Sequence, residues 1–375
     1  MNKPMAESIT RAATCAAALL VALAAAAFAA GEEDHSHHHH GGPVAMDEEG
    51  RRLESYSVHH EMSDEDRAGL RKKVPLYRGM TDREMDMNMN GMGPDYEWYA
   101  SDRGLKGDVG VLVLSHGVGE NSDKVLRNAY EDIARKRPTA IGFGMAMMSS
   151  SHLQAAVDDL VARGAKKIVL LDEGTTTEYN TLTRQWRYIF GAREESTYLP
   201  VQRVKAPVKF LWAGHFNDSP IITDILYDHA KEVSRNPAKE VLIIVGHGPE
   251  DVVDNGPDLK ILQPHVDRIK AKKEFADVRI INIQDDALKP IRESNVRTLR
   301  RWIEQATKQG QDVIVVAISA ASYGVQNHIR QDLRGLKYTF AEKGLAEHPR
   351  FIEWARSAVD EAVARDAKSA AKTKS

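Results

Sequence analysis

A short aliphatic run that ends on histidine and glycine occurs twice in this chain. The first copy is Val111-Leu-Val-Leu-Ser-His116-Gly117 and the second is Val241-Leu-Ile-Ile-Val-Gly-His247-Gly248. A run this apolar and β-branched reads as a strand buried on both faces, the mark of a parallel sheet covered by helices. In such sheets ligands bind beyond the carboxyl ends of the strands. The two histidines, at 116 and 247, are separated by roughly the length of one domain. The chain of 375 residues therefore reads as two similar α/β halves, each presenting an imidazole at its ligand-binding edge.

The rest of the pattern agrees with a duplication. In the first half, strands are expected at 109–115, 141–146, 166–171 and 208–212, with helices at 122–136, 151–163 and 219–234. Pro138 stops the first of these helices, and Gly164 supplies the C-terminal stop of the second. In the second half, strands are expected at 241–246, 278–283 and 312–318, with helices at 259–273, 291–308 and 349–364. The β-α-β order implies right-handed crossovers and helices on both sheet faces. The organisation expected is a signal peptide over 1–29, a leader over 30–107 without a packed core, lobes over 108–237 and 238–366, and a tail over 367–375.

Composition narrows the function classes. A net charge of −3 and an aromatic content of 6 % do not suit a nucleic-acid binder, which needs a basic surface and stacking platforms. At the N-terminus, Lys3 and Arg11 precede an apolar run from Ala12 to Ala29, and Ala27-Phe28-Ala29 offers a small-residue cleavage site. This pattern predicts export to the periplasm or medium, with no membrane span after cleavage. The single cysteine, Cys15, lies within that run, so the exported chain would lack thiolate chemistry.

Several side chains fall where chemistry is expected. Gly246 and Gly248 remove bulk on both sides of His247 and let the backbone turn off the strand. His328 lies in the segment Tyr323–Asp332 that follows strand 312–318; the matching loop of the first half has Asn180 or Thr181 in its place. His215 and His348 each stand just before a helix, where capping or anion binding is expected. Asp285 and Asp286 follow strand 278–283, placed to accept protons at the mouth of a cleft. Glu250 and Glu120 read as solvated loop acids.

These landmarks together resemble the class II tetrapyrrole chelatases, the family of sirohydrochlorin cobaltochelatase. The resemblance covers about residues 109–365. It rests on SHG at 115–117, GHG at 246–248, the SSSHLQAAVDDLVARGAKKIVLL unit, GHFNDSPIITDIL, and YGVQNHIRQDL. It implies two flavodoxin-like lobes with parallel sheets facing each other across a cleft that holds the macrocycle. It also implies a lyase-type enzyme that inserts Co²⁺, or alternatively Ni²⁺, Fe²⁺ or Zn²⁺, with the metal ion as substrate. His247 and His328 would hold the metal, with Asp285 or Asp286 as the acid. His116 matches the first-half position and is a further candidate metal ligand. Arg184, Arg187, Arg292 and Arg330 are candidates to bind the rim carboxylates of the tetrapyrrole, Arg330 and His215 foremost. The loop from Pro249 to Pro264 is longer than the family pattern.

The leader carries its own metal chemistry. His35 and His37 to His40 form an imidazole-rich tract suited to Ni²⁺, Zn²⁺, Co²⁺ or Cu²⁺. Met80, Met85, Met87, Met89 and Met92 would bind Cu(I) or pack against the body.

Overall fold

The computed structural model describes residues 45–46, 52–54, 62–90, 98–100, 104–117, 120–144, 146–172, 177–322 and 324–372. The signal-like run and the His-rich tract lie outside the described residues. The structure is α/β and two-lobed, each lobe built on a parallel four-strand set.

The first sheet contains β1 (Ala45–Met46), β2 (Arg52–Glu54), β3 (Trp98–Ala100), β4 (Val109–Ser115), β5 (Thr139–Phe143), β6 (Lys167–Asp172) and β7 (Lys209–Trp212). Their order is β1-β2-β3-β5-β4-β6-β7, and the last four are parallel. The second sheet contains β8 (Glu240–Gly246), β9 (Asp277–Asn282), β10 (Asp312–Ala317) and β11 (Thr339–Ala341), ordered β11-β10-β8-β9 and parallel throughout. In chain order the two parallel sets follow the same 2-1-3-4 plan. The strand order reverses between β4 and β6 in one lobe and between β8 and β10 in the other. Those are the switch points where open α/β sheets leave a crevice. His116 and His247 stand at them, as their strand-end positions predict.

The strands form because their side chains have an apolar environment on both faces. Val111 to Leu114 and Val241 to Val245 are fully buried. One apolar core runs across both sheets and includes Val111, Val113, Leu242 and Ile244. It is completed by α7 (Pro220–Val233) and α11 (Phe351–Lys372) through Ile222, Leu226, Phe351 and Trp354. These two helices change places: α7, from the first half, packs on β10 and β11, and α11, from the second, packs on β6 and β7. Lys167 Nζ reaches Asp366 at 2.5 Å and Lys209 pairs with the same carboxylate. A cut at 237/238 therefore divides the sequence but not the packing. α11 also runs to Lys372, through most of the stretch expected to be a tail.

The segment before the first lobe departs most from expectation. Residues 62–90 are folded, not an unpacked leader. Ser63 caps α1 (Asp64–Lys73) in a reciprocal box with Asp66. A 3₁₀ turn, Pro75–Gly79, and α2 (Asp82–Asn90) follow. Leu70, Val74, Tyr77 and Met85 are buried against Met147, Tyr198 and Leu199 of the first lobe. No apolar period shows in the sequence because each short element contributes only one or two buried residues, and the partner surface lies far along the chain.

The remaining helices are α3 (Glu120–Ala129), α4 (Glu131–Ala134), α5 (Ser151–Ala162), α6 (Thr181–Ile189), α8 (Val252–Ala271), α9 (Lys289–Lys308) and α10 (Gly324–Asp332). Three differ from expectation. α6 was not foreseen; Asn180 caps it by accepting from Leu182 N at 2.8 Å. α10 occupies what reads as a loop around His328. α8 begins at Val252, capped by Asp251, and takes in most of the expected loop Pro249–Pro264, although Pro257 and Pro264 lie inside it. Among the described residues, no helix is long and apolar enough to cross a membrane.

Candidate functional site

The turn that leaves β8 fixes the first imidazole. Gly248 has φ +77°, and a Cβ there would lie 2.5 Å from Cβ of Asn282; only glycine fits that conformation and that approach. The first lobe repeats the turn with Gly117 at φ +75°. Each histidine contacts the carbonyl of the glycine after it through Nδ1, at 2.9 Å for His247 and 2.6 Å for His116. A ring that donates from Nδ1 keeps the Nε2 lone pair for another electrophile.

The second imidazole is held differently. His328, half exposed on α10, has Nδ1 2.9 Å from Oδ2 of Asp285. Asp285 is 7 % exposed and also accepts from Nε of Arg292 at 2.8 Å. Arg292 in turn clasps Asp332 through both terminal nitrogens, at 3.1 and 2.8 Å. Asp285 is therefore committed to two cations. It orients the His328 ring and leaves its Nε2 outward, the arrangement that strengthens a metal-binding imidazole.

Asp286 is the freer acid. Its Oδ2 lies 3.8 Å from Nε2 of His247, and its side chain is 29 % exposed. That separation exceeds a hydrogen bond. It is of a width that a divalent ion, held at about 2.0–2.2 Å from each ligand, spans. The sequence offers Asp285 or Asp286 as the acid; burial and the Arg292 bridge make Asp285 an orienting group and leave Asp286 beside the open imidazole.

Charge at the site follows from this packing. Burial alone would raise the Asp285 pKa, but the hydrogen bond from His328 and the charges of His247, His328 and Arg292 bring it down to about 2. His328 is shifted upward, first by its hydrogen bond to Asp285, against the cost of burial. For His247, burial favours the neutral ring, yet Asp286 and Asp285 outweigh it and the net shift is upward. A metal binds the neutral imidazoles, so these upward shifts set protons in competition with it.

Glu250 was expected to be a solvated loop acid. Instead its Oε2 is buried, and burial followed by the neighbouring charge of Asp286 raises its pKa to about 7. Nearby, Asp258 is 1 % exposed, accepts from Asn282 Nδ2 at 2.6 Å and is bonded to Thr177 Oγ1 of the first lobe. Arg184 of α6 pairs with Asp254 of α8 at 2.7 Å. The first lobe thus closes onto the loop and helix that follow His247. None of this was legible beforehand, because an isolated Asp or Glu in a loop has no pattern of its own.

Other expected site residues lie elsewhere. His215 is buried in the first lobe, with Nδ1 3.5 Å from Asp172, and burial followed by the Arg187 charge lowers its pKa to about 4. A buried neutral ring does not suit the binding of a macrocycle carboxylate, so that expectation is corrected. Arg330 is engaged with Asn327 at 2.8 Å and Glu342 at 3.2 Å, and stands over the Phe340 ring. His116 adds no third ligand to the pair in the second lobe. Among the described residues, no three His, Cys, Asp or Glu side chains converge closely enough to form a ready metal cage.

No protein-family model matches the chain, and no curated protein matches it. Solved structures do. SirB from Bacillus subtilis, determined with Fe³⁺, matches 70 % of this chain and 98 % of its own at 12 % identity, with a TM-score of 0.51. DR2241 from Deinococcus radiodurans, a multi-domain protein described as structurally similar to chelatases, matches 68 % of this chain and 55 % of its own at 15 % identity and a TM-score of 0.42. The chain shares the two-lobed parallel α/β fold of SirB.

Proposed function

We propose that this protein takes up a divalent metal ion between His247 and Asp286, with His328 beside them, and inserts it into a tetrapyrrole bound at the same sheet edge. The observation that carries this reading is the grouping of two imidazoles and two carboxylates at the β8/β10 switch point, with His328 oriented by Asp285. A metal substrate has to be held weakly enough to leave. Two imidazoles and one carboxylate, with no thiolate, provide that for Co²⁺, the first choice, and for Ni²⁺, Fe²⁺ or Zn²⁺. The presence of Fe³⁺ in the SirB structure supports a metal-handling role for the fold. Insertion also requires the pyrrole N–H protons to leave. Glu250, with a pKa of about 7, has the proton affinity that such a transfer needs at neutral pH.

The test is an anaerobic absorbance time course with sirohydrochlorin and Co²⁺. The wild-type chain is expected to accelerate formation of the metallated spectrum. His247→Ala and His328→Ala are each expected to lose at least about 100-fold in rate while still binding the macrocycle. Either variant inserting at the wild-type rate would refute the assignment. A second reading, a binding protein without turnover, is favoured by the first half carrying Asn180 or Thr181 where the second carries His328; it predicts a shifted spectrum with no acceleration.

Export is part of the proposal and rests on Lys3, Arg11 and the apolar run that follows. N-terminal sequencing of the protein from a periplasmic fraction is expected to begin just after Ala29.

A further inference from the structure

The chain before the first lobe reaches into the candidate site. The 3₁₀ turn Pro75–Gly79 is anchored on the first lobe by Val74 and Tyr77, buried with Met147, Tyr198 and Leu199, and by Lys73, whose Nζ donates to the Ser196 carbonyl at 2.8 Å. From there Leu76 N donates across to the backbone carbonyl of Asp286 at 3.2 Å. The segment is a brace from one lobe to the acid of the other.

Asp286 needs such a brace. The turn holding it is pinned on its N-terminal side: Gln284, at φ +53°, donates to Pro249 O at 2.9 Å, and Asp285 is fixed by Arg292 and His328. The Asp286 side chain has the 3.8 Å approach to His247 and no closer ion pair among the described residues. Its carbonyl is the anchored point. The Asp286 charge is felt by both buried phenols, Tyr77 and Tyr198, which places the carboxylate at the seam between the brace and the first lobe.

We propose that Val74–Gly79, a segment outside both α/β lobes, is a positioning element of the site: its Leu76 N–H holds the Asp286 turn and so sets the Asp286 carboxylate against His247. The function of Asp286 rests on the reading given above; the placement of its turn does not.

The experiment compares Leu76→Pro with Leu76→Ala in the full chain. The proline ring removes the donor and disfavours the helical backbone at Pro75, which undocks the turn. The alanine keeps the donor. Hydrogen–deuterium exchange of the peptide covering 284–288 is expected to quicken about tenfold in Leu76→Pro and by less than about threefold in Leu76→Ala. In Co²⁺ insertion, Leu76→Pro is expected to lower kcat about tenfold with KM for sirohydrochlorin changed less than about threefold, the pattern of a transition-state group displaced. In an Asp286→Asn background the same proline is expected to cost no more than about twofold further, because both changes act through one carboxylate.

Fully additive losses would mean general destabilisation and overturn the proposal. So would equal exchange in the proline and alanine variants. If the wild-type chain inserts no metal, the chelatase reading fails, and the exchange comparison alone decides whether the brace holds the turn.

Discussion

Two adjacent carboxylates at the end of β9 differ because one is buried and bridged by cations and the other is not. Asp285 is spent on Arg292 and His328; Asp286 faces the open nitrogen of His247. The Asp285–His328 pair carries a pH signature. Because the folded-state pKa of His328 is raised, its contribution is complete below the free value of 6.5 and fades as pH rises through the raised value. Because Asp285 is depressed to about 2 from 3.8, its contribution is complete above 3.8 and fades as pH falls toward about 2. The pair therefore stabilises most between about pH 4 and 6.5. His328→Gln is expected to cost less than about 1 kcal/mol at pH 6, since half the ring is in water, and most of that difference should vanish by pH 9. Urea melts at the two pH values check it; an equal loss at both would assign the effect to packing.

At the scale of elements, the close approach of β8 and β9 makes the glycine pair around His247 intolerant of side chains. A Cβ on Gly246 would fall 2.4 Å from Asn282 Oδ1, and one on Gly248 would add a positive φ to a 2.5 Å clash. Gly248→Ala is expected to destabilise by about 2–4 kcal/mol. Gly256, inside α8, has nothing within 4 Å of its would-be Cβ. Gly256→Ala is expected to stabilise by about 0.5–1 kcal/mol, because alanine gives up less chain entropy in a helix. Thermal midpoints of the two variants should move in opposite directions. A Gly248→Ala midpoint at or above wild type would mean that the turn is not fixed as described.

At the scale of the whole molecule, three buried histidines set an acid limit. Burial lowers His215, His229 and His265 to about 4, with the Arg187 charge aiding at His215 and that of His348 at His229. Below pH 6.5 the unfolded chain binds protons at these rings that the folded chain refuses. Stability therefore rises with pH across this range and falls on acidification from about 6.5 toward 4, with a slope of up to about 4 kcal/mol per pH unit for three protons. Denaturant melts between pH 7 and 4.5 are expected to show this decline, and a flat profile would contradict it. The exchange of α7 and α11 makes the two lobes share one core, so the loss should be a single transition.

The sequence by itself determined β4 to β10, their parallel pairing within each lobe and the repeat of the pattern, because a strand buried on both faces must be apolar along its whole length and the pattern is local; it did not show β11 or the antiparallel β1 to β3. It also placed His116 and His247 at strand ends, since glycine and the end of an apolar run mark those positions. The tertiary structure alone decided which acid is bridged by cations, that His215 is buried, that burial raises the Glu250 pKa to about 7, and that Leu76 N–H reaches the Asp286 carbonyl. Each of these depends on a partner from another element: Asp285 on Arg292 and His328, His215 on Asp172 and Arg187, Glu250 on Asp286, and the Asp286 turn on Leu76. Burial and charge partners of that kind leave no periodicity in the chain. The exchange of α7 and α11 is hidden for the same reason: an amphipathic helix specifies that one face is covered, but not which sheet covers it.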